Sequence, residues 1–291
     1  PSPRWLKIGL SLLPLWLILS AGVAIWLSQR NDAKEEKEQQ QRFARGMSVE
    51  NIADDLRKLD SVIGQRHAGD AEALANLNRA ASMIDGVLGP SNTGYQVERM
   101  AIAGSPPVLR ATLHGKEDKL PALWLLCAYD TPADQSGAGS SHAVAAAIAA
   151  AQAMAQDAAP RTLELIFVPH GNAATGSVEA CLKPLQVKLE RPSMVICLGD
   201  FSHGADLLVE SGSESRPLLD ALSGLGQWRA PNGESSRLVS ACSSAGLPVI
   251  EVRSHAANPA RSEAPPAETL AVSAGKLVEW LRRCSNIPPT P

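Results

Sequence analysis

The hydrophobic pattern begins with an uninterrupted apolar run near the amino terminus. The 20 residues 8–27 carry no charged side chain, and as a helix they rise about 30 Å, the thickness of the hydrocarbon core of a bilayer. Trp5 and Trp26 lie near the two ends of the run, where indole rings favour the headgroup interface. The pattern therefore predicts one membrane-spanning helix within an anchor, residues 1–28, that contacts the lipid bilayer through residues 8–27.

We expect this anchor to remain uncleaved. A signal peptide has a shorter apolar stretch, and the small residues 20–22 lie inside this run rather than beyond it. A proline within the run is compatible with a membrane helix. The side chains expected in or near the bilayer are Trp5, Ile8, Pro14, Trp16, Trp26 and Leu27.

A charged segment follows the apolar run. Residues 31–45 carry eight charged side chains, which predicts a solvated helical tether over residues 29–46. A count of Lys and Arg alone places the bulk of the chain in the cytoplasm, because five follow the run and only Arg4 and Lys7 precede it. The short, positively charged amino-terminal flank favours the opposite orientation. We expect a single-pass protein whose main domain lies on the extracytoplasmic, periplasmic side.

Beyond the tether the pattern is that of a folded domain, which we place at residues 47–287, before a short tail at residues 288–291. Apolar residues recur with the helical period, so that each helix has one apolar face. Ser48 is a suitable N-cap for the first of these helices. The helices predicted in this way cover residues 48–63, 70–88, 141–156 and 268–284.

Between the helices the period changes to that of strands. Alternation over residues 95–103 and 108–114 predicts an antiparallel hairpin. Strands that alternate with helices predict an α/β domain with a mixed, mainly parallel central sheet flanked by helices. In such a sheet the ligand crevice lies beyond the carboxyl ends of the central strands. A run that is apolar on both faces predicts a central strand at residues 123–129. Further buried strands are predicted at residues 163–168, 194–198 and 248–252, and a strand or extended edge at 206–209.

Composition narrows the range of partners. The chain carries 27 Lys+Arg and 30 Asp+Glu, and residues 46–291 alone carry 20 and 26, which gives this part a net charge of −6. A mildly acidic domain lacks the concentrated basic surface that phosphate binding needs, so nucleic acid is excluded as the main partner. The five cysteines occur singly and in odd number, which does not indicate a disulfide framework.

The strand ends lack three common active-site motifs. The sequence contains no Gly-x-Ser-x-Gly elbow of a serine hydrolase and no phosphate-binding loop. Gly137 and Gly139 lack the third glycine of a dinucleotide fingerprint. No arrangement in the sequence places a base within reach of a serine, so a serine triad has no support either.

The order of segments nevertheless resembles one known family. The segments are IGQRHAGD at residues 63–70, TGYQVE at 93–98, AYD at 128–130, RTLELIFVPH at 161–170 and AGLPVI at 245–250. They follow one another as in the zinc-dependent exopeptidases of the M28 aminopeptidase type, and the resemblance covers roughly residues 47–284. It implies a zinc-exopeptidase-like fold, with two helices leading into an edge hairpin and a central sheet.

The departures from that family concern the residues that carry the chemistry. The family binds two zinc ions through imidazoles and carboxylates and uses a glutamate as general base. At the matching positions this chain has Ala128 for a histidine ligand, Ser140 for the bridging aspartate, and His170-Gly171 for a pair of glutamates. Asp130 matches a residue that orients a ligand in the family, and Asp200 is displaced by one position. The resemblance therefore implies a degenerate site with no catalytic residue and no metal cofactor.

Several polar residues at the strand ends keep an alternative open. Histidine and carboxylate together suit zinc, so a rebuilt zinc site would make the protein a membrane-bound metallo-aminopeptidase. The residues available for such a site are His142, His170, His203, Asp130 and Asp200.

From these patterns we expect a membrane-anchored, non-catalytic, M28 peptidase-like domain. Its function would be that of an accessory, scaffold or partner-binding subunit, with other proteins of a membrane complex as its partners.

Overall fold

A computed structural model describes residues 48–117, 119–133, 138–155, 157, 159–172, 177–212, 216–231, 236–256 and 266–287. The predicted anchor at 1–28, the tether at 29–46 and the tail at 288–291 lie outside these residues. Within the described ranges, no helix is both long and apolar enough to span a membrane.

Two helices open the described part of the chain, as the sequence predicts. Helix α1, Val49–Arg57, begins at Ser48, whose Oγ accepts a hydrogen bond of 3.0 Å from the Asn51 amide. The chain then widens into a π-helical turn, Lys58–Ile63, where the pattern predicted a continuous α-helix. Helix α2, Ala71–Leu88, is capped by Asp70 in the same manner. Each cap satisfies an amide that the first helical turn leaves without a partner.

A mixed sheet forms the centre of the domain. In the described part of the chain its strands are ordered β1-β2-β4-β3-β5-β8-β6-β7. Strands β4, β3, β5 and β8 are parallel neighbours, whereas β1, β2 and β4 pair antiparallel, as do β8 and β6. The bounds are β1 Val97–Ile102, β2 Ser105–Leu113, β3 Leu123–Ala128, β4 Leu163–Val168, β5 Met194–Leu198, β6 Asp206–Glu210, β7 Gly226–Arg229 and β8 Val249–His255.

The strand pattern of the sequence is largely confirmed. The predicted hairpin is β1 and β2, and the four predicted buried strands are the parallel strands β3, β4, β5 and β8. The strand or extended edge predicted at residues 206–209 is strand β6, but β7 lies outside it, so β6 is not an edge of the sheet. Strand β7 has only four residues, too few for a periodic pattern to indicate it. Strands β3, β4 and β5 are buried along their whole length, which explains why β3 and β5 are apolar on both faces. In β4 the buried carboxylate of Glu164 accepts a hydrogen bond of 2.8 Å from Arg110.

Helices cover both faces of the sheet. The remaining helices are α3 Ala138–Met154, α4 Val178–Lys188, α5 Arg216–Leu222, α6 Arg237–Ser244 and α7 Pro266–Ser285. Helices α1, α2, α3, α5 and α7 share one core with one face of the sheet, while α4 and α6 share a second core with the other face. In the middle of α3 no side chain of residues 143–151 is more than 3% exposed. Alanine predominates there because α3 lies between the sheet and the outer helices, where larger side chains would not fit.

Candidate functional site

A cavity of about 240 Å³ opens at the carboxyl ends of the parallel strands, where the predicted topology places a crevice. The ends of β3, β4 and β5 form its floor, and β8 forms one wall. The first turn of α3 and the start of α6 form the other sides. The residues that line it are Ala128, Pro132, Ser140, Ala143, Gly171, Asn172, Leu198, Gly199, Asp200, Ser236, Leu238, Glu251 and Arg253.

The positions that match metal ligands of the resembled family meet in this cavity, but their side chains do not fit a zinc pair. Ala128, Ser140, Gly171 and Asp200 all line it. A Cβ atom on Gly171 would lie 2.3 Å from Cβ of Ala128, a distance that excludes any side chain at position 171 while the backbone stays as it is. Ala128 and Gly171 therefore supply no donor and leave no room for one.

The five residues of the hypothetical rebuilt zinc site are not gathered around one point. Asp200 Oδ2 and His203 Nε2 lie 3.1 Å apart at the surface. His142 and His170 are not among the residues that line the cavity, and Asp130 lies behind its floor. Within the described ranges, no three His, Cys, Asp or Glu side chains are arranged to hold a metal ion.

Asp130 organises the loop that follows β4. Its carboxylate accepts hydrogen bonds from the amides of Gly171, at 2.8 Å, and Asn172, at 3.0 Å. The Asn172 side chain donates in return to the Asp130 carbonyl oxygen at 2.8 Å. The aspartate is completely buried. In this structure Asp130 therefore holds backbone at the cavity floor.

His170 joins the end of β4 to the β1–β2 hairpin. Its Nε2 lies 2.5 Å from Ser105 Oγ, and its ring is 4% exposed. The other ring nitrogen, Nδ1, is buried and finds no partner among the described residues. Burial lowers the pKa of His170, and the nearby Arg237 lowers it further.

We expect His170 to make the domain less stable at acidic pH. Because the pKa of the ring is lower in the folded than in the unfolded chain, the unfolded chain binds the proton first as the pH falls. The stabilisation is complete above the ordinary pKa of 6.5 and is lost as the pH falls through the lowered value. Urea unfolding between about pH 7 and pH 5 should show this loss, and it should be smaller in His170→Gln. The control His114→Gln changes an exposed ring. An equal pH dependence in all three proteins would contradict the assignment.

A charged network on the β8 wall was not predicted from the sequence. The network consists of Glu210, Arg229, Glu251 and Arg253. Arg229 Nε donates to Glu210 at 3.0 Å, and Arg253 Nη2 lies 3.1 Å from Glu251 and 3.5 Å from Glu210. Register explains the cluster, because Glu210 is paired with Glu251 on β8 and with Arg229 on β7. The signal available in the sequence was the presence of two charged residues, Glu251 and Arg253, within β8.

The network also depends on a glycine at the end of β5. A Cβ atom on Gly199 would lie 2.7 Å from Glu251 Oε1 and 2.8 Å from Arg253 Cγ. Burial opposes the charge of Arg253, but the carboxylates of Glu251 and Glu210 outweigh it and raise the pKa of the guanidinium. The negative charges of two carboxylates are thus neutralised by the positive charges of two guanidinium groups along this wall.

Arg66 connects three elements beneath the cavity. Its side chain is 1% exposed and donates from Nε to the Tyr129 carbonyl at 2.9 Å, from Nη1 to the Leu59 carbonyl at 2.8 Å, and from Nη2 to Ser141 Oγ at 2.8 Å. Burial lowers the pKa of the guanidinium to about 10, against the opposing effects of Asp60 and Asp130, so the group is charged at neutral pH. Arg66 therefore ties the π-helical turn and the end of β3 to the start of α3.

Burial disfavours the thiolate form of Cys127 and Cys181 at neutral pH. All five cysteines are buried and unbridged. Burial raises the pKa of the Cys181 thiol to about 12 and that of Cys127 higher still. A nucleophilic cysteine needs the thiolate, which these environments disfavour.

Comparison with known proteins identifies the fold. No family model matches the chain, and no curated protein matches it. Among solved structures, the LapA aminopeptidase of Legionella pneumophila is similar with a TM-score of 0.62 and 13% identity, over 87% of this chain and 75% of that chain. An aminopeptidase from Aneurinibacillus sp. strain AM-1 is similar with a TM-score of 0.57 and 12% identity, over 82% of this chain and 94% of that chain. The glutaminyl cyclase of Tannerella forsythia is similar with a TM-score of 0.59 and 13% identity, over 84% of this chain and 100% of that chain.

The resemblance predicted from the sequence is thus confirmed for the fold. The chain has the mixed α/β fold of the M28-type zinc aminopeptidases, with an eight-stranded sheet in its described part. At identities of 12% and 13%, similarity of structure is evidence for the fold alone, and function has to be argued from the site.

Proposed function

We propose that the chain is a membrane-anchored, non-catalytic peptidase-like domain that binds partner proteins as an accessory or scaffold subunit of a membrane complex. The domain would lie on the periplasmic side, held by residues 8–27 through the charged tether. No metal cofactor takes part in this function.

The observation that carries the proposal is the contact between Ala128 and Gly171. Two-zinc hydrolysis requires ligands that hold both ions and a carboxylate that accepts the proton of the attacking water. At the matching positions this chain brings together an alanine and a glycine whose closeness leaves no room for a ligand side chain. His170, which matches a position of the glutamate pair, is turned to Ser105 instead.

Two further features support a role in binding. The resembled fold is retained with a large core and a formed crevice, although the residues for hydrolysis are replaced. The apolar run and the charged tether of the sequence would hold such a domain at a fixed distance from a bilayer. A folded domain without catalytic groups, placed beside a membrane, is suited to contacts with membrane proteins.

The test is made on the full chain, purified in mild detergent. We expect less than about 0.1 zinc per chain by elemental analysis, since structural and catalytic zinc sites bind too tightly to lose their metal on purification. We expect no hydrolysis of aminoacyl p-nitroanilides, with or without added zinc. A zinc aminopeptidase assayed in the same buffer is the positive control. We also expect a partner at constant stoichiometry when the protein is purified from its native membrane.

Two results would overturn the proposal. Hydrolysis that chelators abolish and zinc restores would support the alternative, a metallo-aminopeptidase with a rebuilt site. A chain that runs as a bare monomer from native membranes, in every mild detergent tried, would remove the accessory role.

A further inference from the structure

Two of the buried cysteines lie in the same core. Cys197 is in β5 and Cys242 is in α6, and both belong to the core that α4 and α6 share with one face of the sheet. Their exposed fractions are 1% and 0%. Helix α6 packs directly against β5. The two thiols are therefore held by neighbouring elements on the same side of the sheet.

The two thiols also act on each other. Burial raises the pKa of the Cys197 thiol well above its ordinary value, and hydrogen bonding with the Cys242 thiol raises it further. Such an effect requires the two sulfur atoms to lie close together, because a thiol is only a weak hydrogen-bond donor. Cys197 and Cys242 are thus neighbours across the interface between β5 and α6, although they are 45 positions apart in the chain.

The other three cysteines are placed differently. Cys127 and Cys284 belong to the core on the opposite face of the sheet. Cys181 shares the core of the pair, but its thiol donates to the Ser177 carbonyl oxygen at 3.3 Å, at the start of α4. These positions favour Cys197 and Cys242 as the two cysteines that a cross-link can join.

We propose that Cys197 and Cys242 form a disulfide when the domain folds on the oxidising side of the membrane. This inference rests on the proposed function in one respect, the periplasmic position of the domain, where disulfides form and persist. The structure shows the same pair in its reduced form. The bond would join β5 to α6, and Leu198 and Leu238 of these two elements line the cavity. It would therefore fix one side of the cavity to its floor.

The oxidant of this reaction is a disulfide, that of a thiol oxidoreductase or of glutathione. One thiolate of the pair attacks this disulfide, which forms a mixed disulfide and releases one thiol of the oxidant. The second thiolate of the pair then attacks the mixed disulfide and releases the other thiol. The pair loses two electrons and two protons, and the oxidant gains them. Because burial disfavours the Cys197 thiolate in the folded chain, the exchange takes place during folding, before the core closes.

The test refolds the full chain in mild detergent. Protein that has been reduced and unfolded in urea is refolded with oxidised and reduced glutathione, and is then alkylated in denaturant without reductant. We expect three alkylated cysteines, against five in the fully reduced protein. Trypsin places the pair on separate peptides, because Arg229 and Arg237 lie between the two cysteines. Mass spectrometry should therefore find these two peptides linked, and reductant should separate them.

Unfolding curves show whether the bond fits the native fold. A link that closes 45 positions of the chain restricts the unfolded state, so the oxidised protein should unfold at a urea concentration about 1 M higher than the reduced protein. Cys284→Ala is the matched control, because it removes a buried cysteine of the other core. This variant should keep both the link and the shift, whereas Cys242→Ala should lose both.

The outcomes separate this inference from the proposed function. Five alkylated cysteines after refolding, a link that involves Cys127, Cys181 or Cys284 instead, or a shift of the same size in Cys242→Ala would overturn the inference. Protein taken from native membranes and alkylated at once tests the periplasmic position. A linked pair in that protein supports the position. A reduced pair there, in a chain that forms the link on refolding, would overturn the position and leave the chemistry of the pair as it is.

Discussion

Arg66→Met is expected to destabilise the domain by about 4 kcal/mol, a large share of the roughly 5–15 kcal/mol by which native domains are stable. The substitution keeps a long apolar stem but removes every donor of a side chain that is 1% exposed. The carbonyl oxygens of Leu59 and Tyr129 and the hydroxyl of Ser141 would lose the donor that they share. Buried acceptors without a partner are costly, because folding has removed them from water.

Urea unfolding followed by circular dichroism measures this effect on the full chain. Arg57→Met is the matched control, because the Arg57 side chain is 62% exposed and, in the described part of the chain, its ion pair is with Asp54 across one helical turn. Its cost should stay within about 0.5 kcal/mol. Arg66→Lys keeps the charge but loses the planar set of guanidinium donors. Its destabilisation should therefore lie between that of Arg57→Met and that of Arg66→Met. A cost below about 1 kcal/mol for Arg66→Met would mean that water replaces the guanidinium without penalty.

Gly171→Ala is expected to destabilise the domain by about 3 kcal/mol. The new methyl group would lie 2.3 Å from Cβ of Ala128, and the two atoms could separate only if the ends of β3 and β4 moved. Ala128→Gly in the same chain removes the opposing methyl group. The double variant should therefore be more stable than Gly171→Ala alone by about 2 kcal/mol, a coupling that a double-mutant cycle measures.

Gly86→Ala is the control for this series. No described atom outside the neighbouring backbone of its own helix lies within 4 Å of the position of its Cβ. The residue is inside α2, where alanine should be neutral or stabilising by up to about 1 kcal/mol. Equal stability of Gly171→Ala and the wild type would show that the backbone at positions 128 and 171 can move apart at little cost in free energy. That result would also weaken the argument that position 171 cannot carry a metal ligand.

Much of the fold was predictable because its signals are local. Buried parallel strands such as β3 are continuous apolar runs, and the apolar run predicted as a strand at residues 123–129 contains the strand Leu123–Ala128. Ser48 and Asp70 precede apolar stripes and cap both helices. The crevice followed from the topology of the sheet. Short elements such as β7 carry too few residues for periodicity to appear.

The candidate site was only partly predictable. Ala128 and Gly171 were predicted at positions where the resembled family has ligands, and both line the cavity. That they touch, however, depends on how closely β3 and the loop after β4 approach each other. His170 follows a central strand like a crevice residue, yet its ring contacts Ser105 of the hairpin. The direction of a side chain beyond a strand end depends on contacts from distant segments, which a local pattern does not contain.

The sequence by itself therefore predicted most of the strands, the main helices and the crevice. Tertiary structure alone decided which polar groups meet. Glu210, Arg229, Glu251 and Arg253 form one network through the register of three strands, and Arg66 finds its acceptors through a π-helical turn. Hydrophobic periodicity is a property of neighbouring residues, whereas charge pairing and close packing are properties of residues that only the folded chain brings together.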